Sequence, residues 1–153
     1  MALRQRARND EDKQARRAAI LTDAGALLRE HAYATLTMAQ VASACGLAKG
    51  TLYLYFRSKE ELFLALLERE LLEWFSALRG RLEGLPEVSA EVLGREFATS
   101  LERRRLLADL LVLLHTVLEH NVDEEAALRF KAVLLTPNWL NTFWCRFSVY
   151  YQL

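Results

Sequence analysis

Residues 38–57 read MAQVASACGLAKGTLYLYFR, and the order of small, turn-forming and apolar residues in this stretch decides the fold. Ala42 is small, Gly46 follows four residues later, and Leu52 lies six beyond that. Two helices meeting at a sharp turn need this order. A small residue lets them cross closely, glycine turns the chain, and an apolar residue anchors the second helix on the first. The expected helices run from Met38 to about Ala44 and from about Lys49 to Phe56. Thr37-Met-Ala-Gln40 has the form of a capping box, the Thr37 hydroxyl accepting from the third amide of the helix while Gln40 reaches back. Val41, Cys45 and Leu47 are expected to fill the crevice between the two helices. A cysteine there acts as a small hydrophobe rather than a reactive thiol.

Upstream, Ile20, Leu21, Ala24, Leu27 and Leu28 form one stripe of an amphipathic helix that starts near Asp10 and ends near His31–Tyr33. Met1–Asn9, with Arg4, Arg6 and Arg8, is expected to be a mobile tail. Downstream, Ser58-Lys-Glu-Glu61 is a second capping box, opening a long helix to about Leu82. Its stripe is Leu62, Phe63, Leu66, Leu67, Leu71, Trp74, Phe75 and Leu78. Gly80 to Pro86 breaks the chain. Ser89 is expected to cap a helix carrying Val92, Leu93, Phe97 and Leu101. Leu106–Leu118, apolar nearly all round, reads as a buried helix, and Asn121–Glu125 opens one more that runs through Leu135. With no strand signal before the last 18 residues, the fold class is all-α: a three-helix helix-turn-helix domain followed by a helical domain.

Composition agrees. The 153 residues are 52% hydrophobic, too many for a disordered chain, and only 6 Gly and 2 Pro interrupt them. The net charge is zero, but residues 1–60 hold ten basic and six acidic residues, a net of +4, balanced by −4 in the remainder. A basic front half fits an anionic partner, although ordinary surface charge gives the same count. Cys45 and Cys145 form no metal or redox motif, and reduced, cytoplasmic thiols are the expectation. No signal peptide is read in Met1–Asn9, no apolar run is long enough to span a membrane, and no metal or cofactor is expected. No nucleophile–base set, carboxylate pair or phosphate-binding glycine loop is present, so no enzyme activity is expected.

The second helix of the turn presents Lys49, Gly50, Thr51, Tyr53 and Tyr55 near its N-terminal end. Lysine supplies charge for phosphate, glycine allows backbone to approach backbone, and tyrosine hydroxyls bond phosphate while their rings pack on sugar or a thymine methyl. Tyr53, Tyr55 and Phe56 also make sense as core aromatics. Phe56 is assigned to the core with Leu52, and the two tyrosines to double-stranded DNA, because they lie on the element that enters the groove.

From about Arg16 to Leu67 the chain resembles the tetracycline-repressor (TetR) family of bacterial regulators. The matching residues are Ala19-Ile20-Leu21, Ala24, Tyr33, Thr35, Thr37, Val41-Ala42, Gly46, Lys49-Gly50-Thr51-Leu52-Tyr53, Tyr55-Phe56 and Ser58-Lys59-Glu60-Glu61-Leu62. The resemblance implies that Thr37 and Lys59 hold phosphates flanking the groove while Lys49, Gly50, Thr51, Tyr53 and Tyr55 contact it directly. Two positions depart from the pattern. Ala32 stands where the family usually has glycine, so the turn there is expected to be strained, by about 1–2 kcal/mol for a left-handed alanine, or differently wound. Ala48 stands where serine is frequent, removing one phosphate-binding hydroxyl.

The division expected is residues 1–60 for DNA binding and 61–153 for a shortened ligand-binding and dimerisation domain, as the resemblance implies. Candidate ligand contacts are Trp74, Phe97, His115, Thr116 and Trp139, polar or aromatic groups on otherwise apolar helices. His115 also reads as a hydrogen-bonded core histidine. Thr136–Leu153 carries one charge, Arg146, among Trp139, Phe143, Trp144, Phe147, Tyr150 and Tyr151. The family usually continues into two long helices that pair across a dimer, and this chain stops about where they begin. A short natural variant, a truncated or frameshifted reading frame and a membrane-surface tail are the three readings, and the abrupt shift in composition favours the second. The expectation is a cytoplasmic, ligand-responsive repressor that binds a palindromic operator as a homodimer and senses a small apolar effector without a membrane partner. The alternative is a helical protein-interaction module whose operator binding is lost with its dimerisation helices.

Overall fold

In the computed structural model, which describes residues 2–85, 89–114 and 124–135, every regular element is helical. The chain begins in α1, Ala2–Glu30. The expected mobile tail is therefore helical up to Ala2. Ala, Leu, Arg and Gln are all good helix formers and no Gly or Pro stands in the way, so Asp10, Glu11 and Asp12 lie inside the helix instead of opening it. A bond from His31 N–H to the Leu27 carbonyl (2.9 Å) closes the last turn.

Of the two outcomes expected at Ala32, strain or a different winding, the structure shows the second. The residue's φ of −65° and ψ of 139° are extended, and a tight 3-10 turn over Tyr33–Thr35 follows. The connection is wound differently, so alanine never meets the left-handed region where its Cβ would clash.

Helix α2, Met38–Ala44, carries the predicted capping box in full, with Thr37 accepting from Gln40 N–H and the Gln40 side chain returning to the Thr37 amide. Its far end is a Schellman turn. Gly46 N–H bonds to Ser43 O (3.1 Å), Leu47 N–H to Ala42 O (2.8 Å), and Gly46 takes φ +62°. Helix α3 spans Lys49–Tyr53, shorter than the predicted run to Phe56. The chain tightens after Tyr53, with Leu54 and Tyr55 bonding back three residues to Thr51 and Leu52, before Phe56 N–H returns to Leu52 O. Helix α4 spans Lys59–Glu83. Ser58 Oγ accepts from Glu61 N–H (3.0 Å) and the Glu61 carboxylate accepts from Arg57 N–H (2.7 Å).

The chain divides into two units, Met1–Leu66 and Leu67–Leu153. In the first, Ile20, Leu21 and Ala24 of α1, Val41 and Ala42 of α2, Leu52, Phe56, Leu62, Phe63 and Leu66 are buried. Each large side chain taken from water here contributes roughly 1.5–3 kcal/mol. The second unit includes α5, Ala90–Glu102, with Ser89 accepting from Val92 N–H as expected. It continues with α6, Arg105–Leu113, packed on α5, and α7, Glu124–Leu135. Helix α6 is not buried all round: Leu106, Leu107 and Leu110 are buried, but Val112 is 65% exposed. Among the described residues no helix is long and apolar enough to cross a membrane, and no group of His, Cys, Asp and Glu could hold a metal ion.

Candidate nucleic-acid interface

The Schellman turn aims α3 away from α2, and Leu52 fixes its rotation. Leu52 is fully buried, so the residues on the opposite side of that one-and-a-half-turn helix must face outward. Lys49 and Gly50 are exposed, Thr51 and Tyr55 half-buried, and Tyr53 is 41% exposed. The Lys49 ammonium lies 5.9 Å from the Tyr53 ring centroid, so the two share one side of the helix. The N-cap of α3 is Ala48, which offers no side-chain bond to the first-turn amides.

The other two predicted phosphate contacts are tied into the fold. Thr37 is exposed, but its hydroxyl is engaged with Gln40, donating to Oε1 at 2.8 Å and accepting from N–H at 3.3 Å. Lys59 does more inside the protein than its pattern foretold. Its Nζ donates to Tyr33 O and Leu36 O, both at 3.0 Å, and sits 4.1 Å above the Tyr33 ring. The Tyr33 hydroxyl donates to Glu60 at 3.1 Å. Burial first, then the Glu60 charge, pushes the Tyr33 phenol above its usual range, so it stays a neutral donor. Two of the three Lys59 donors thus close the α1–α2 connection, which leaves one for a phosphate.

The first unit is further stapled where α1 meets the motif. Arg17 lies 4.9 Å from the Phe56 ring centroid, and Tyr33 meets Phe63 edge to face at 5.3 Å. Cys45 is half-buried, and burial, reinforced by the Asp23 carboxylate, raises its thiol to about 11. This is a packed thiol, not a nucleophile.

One exposed residue escaped the sequence reading. Leu54 is 77% exposed, the largest exposure among the large apolar side chains described. The signal that finds it is its place two residues after the buried Leu52, about 200° around a helix.

Of the ligand candidates, Trp74 and Phe97 are brought together, their rings edge to face at 4.8 Å. Trp74 is buried and its Nε1 donates to Ser100 Oγ at 2.9 Å, while Phe97 is 41% exposed. His115, Thr116 and Trp139 lie outside the described residues.

Comparison with known proteins agrees with this architecture. The family of bacterial regulatory proteins described as the tetR family matches residues 20–66, and a Tetracyclin repressor-like C-terminal domain matches residues 68–138. The similarity therefore continues well beyond Leu67, where the resemblance read from the sequence stopped. The uncharacterized HTH-type transcriptional regulator YerO of Bacillus subtilis (strain 168) is 33% identical over 91 residues, which are 59% of this chain and 32% of that protein. The chain thus aligns with about a third of the length of this curated relative. Among solved structures, the fatty acid degradation regulator FadR from Bacillus halodurans superposes with a TM-score of 0.55 at 25% identity, over 77% of this chain and 59% of that one. A TetR family transcription regulator from Marinobacter aquaeolei VT8 gives 0.61 at 24% identity, over 89% and 69%, a likeness of fold.

Proposed function

The chain belongs to the TetR family of bacterial regulators, and from that premise we propose that it is a cytoplasmic, ligand-responsive repressor that binds a palindromic DNA operator as a dimer. The observation that carries the reading is α3 itself. A buried Leu52 holds the helix while Lys49, Gly50 and Tyr53 stand exposed on it. In this reading α3 enters the major groove. Lys49 meets phosphate, Gly50 lets the backbone come close, Thr51, Tyr53 and Tyr55 reach sugar, phosphate and base edges, and Leu54 packs on a thymine methyl. Thr37 and the third donor of Lys59 hold phosphates beside the groove.

One such element covers only a half-site. Two copies about 34–36 Å apart, one DNA turn, give operator affinity. The second unit, which the similarity to a repressor C-terminal domain supports as the sensing part, shifts the population toward a state in which the two recognition helices no longer match successive grooves. The FadR likeness supports a regulator of metabolic genes, since that protein regulates fatty acid degradation.

The test is an anisotropy titration of the full chain on labelled duplex from upstream of its own gene, against a scrambled duplex of equal composition. Preferential binding to the upstream duplex supports the regulator. Equal or absent binding to both returns the chain to the alternative of a protein-interaction module.

A further inference from the structure

The second unit contains a half-open cleft of about 350 Å³. Trp74 and Leu78 of α4, both almost fully buried, form its apolar floor with Ala77, and Arg81, Ser100, Arg103 and Arg104 line the remainder. The polar atoms of this lining are unevenly available. Ser100 Oγ accepts from Trp74 Nε1 (2.9 Å) and donates to Phe97 O (2.9 Å), so each hydroxyl and indole group is spent inside the fold. Arg81 gives one guanidinium nitrogen to Glu96. Arg103 and Arg104 pair with no carboxylate among the described residues. Arg104 also occupies the N-cap of α6, whose first turn receives no side-chain cap. Among the described residues the donors left to a ligand are therefore guanidinium groups, beside an apolar floor.

This arrangement disfavours the small apolar effector expected from the sequence. Arg103 is exposed and Arg104 half-buried, so an apolar molecule laid over them would displace part of their water and return no hydrogen bond, an unfavourable exchange for a charged group. A carboxylate or phosphate reverses the sign. Its oxygens match the planar guanidinium fork in bidentate geometry, and charge-assisted bonds of this kind are the strong ones. We propose that the cavity takes an organic anion, its carboxylate or phosphate held by Arg103 and Arg104 and its apolar body lying against Trp74 and Leu78. The inference rests on the reading of the second unit as the sensing part, and it names the effector's chemical class.

The experiment uses the full chain and three probes of one chain length, octanoate, octyl phosphate and octanol, titrated by calorimetry. Both anions should bind at least about tenfold more tightly than the alcohol. The better of the two identifies whether a carboxylate or a phosphate is the preferred head. The double variant Arg103→Gln/Arg104→Gln should bind all three probes alike while keeping the wild-type urea midpoint. Equal affinity for octanol and the anions, or a preference that survives the double variant, overturns the proposal. Anisotropy on the upstream duplex, run with and without octanoate, separates the two readings. Arginine-dependent anion binding that leaves DNA affinity unmoved keeps the site and removes its regulatory role.

Discussion

A Cβ built at Gly50 meets nothing within 4 Å, and the residue is helical with no positive φ. Folding therefore does not require glycine there. Gly50→Ala should leave the free protein as stable or more so, by up to about 0.5–1 kcal/mol in urea unfolding, because alanine loses less backbone freedom in a helix. If the backbone at this point approaches DNA, the same methyl group should weaken operator binding at least severalfold. Lys59 presents the reverse case. Two of its donors satisfy the Tyr33 and Leu36 carbonyls, so Lys59→Met should destabilise the protein without DNA by about 1–3 kcal/mol, the cost of leaving such groups unpaired. A lysine serving phosphate alone would leave the urea midpoint unchanged. Cys45 adds a pH dependence. Its thiol is raised from 9.0 to about 11 in the folded chain, so the folded state holds the proton more tightly than the unfolded state does. The stabilisation linked to it is complete below about pH 9 and is lost as pH climbs toward 11. In a Cys145→Ser background, a thiol-reactive dye at pH 8 should label the folded protein far more slowly than the urea-unfolded one. Equal rates would show the thiol is not packed in the fold.

At the scale of elements, the N-terminus of α3 is the least supported end in the motif. Ala48 provides no cap where Thr37 and Ser58 serve α2 and α4. Ala48→Ser should stabilise the chain by about 0.5–2 kcal/mol by thermal or urea unfolding, the usual gain from an N-cap hydroxyl. No change would mean the first-turn amides already find adequate partners in water. Capping residues were the most readable features of this sequence. Thr37/Gln40, Gly46, Ser58 and Ser89 each act through residues at most four positions away, so a short window contains the whole interaction. What was misread depended on distance or on a choice between local states. The start of α1 was placed at Asp10 because acids favour a helix N-terminus, but nothing upstream breaks the helix. The turn at Ala32, where strain and a different winding are both expected outcomes, takes the second. The clamp of Lys59 on Tyr33 joins residues 26 apart, and no local pattern announces it.

For the whole molecule, the sequence divides unevenly in legibility. The DNA-reading motif repeats a dense pattern of turn and anchor residues. The second unit offers only apolar stripes, so its similarity to a repressor C-terminal domain over residues 68–138 was not visible to pattern reading. Its arginine-lined cavity was missed for a related reason. Arg81, Arg103 and Arg104 come from separate helices or their ends and read singly as surface charge. The central claim is that exposed groups on α3 bind DNA, and it is tested most directly on the upstream duplex by following affinity against salt for the wild type, Lys49→Ala and Tyr53→Ala. The account predicts that wild-type log K falls steeply and linearly with log salt, with a slope close to one unit shallower for Lys49→Ala, as loss of one phosphate contact requires. Tyr53→Ala should cost about 1–3 kcal/mol of affinity for the upstream duplex if the ring touches base edges, with the urea midpoint retained. Salt-insensitive binding, or three proteins with the same affinity and slope, would contradict it.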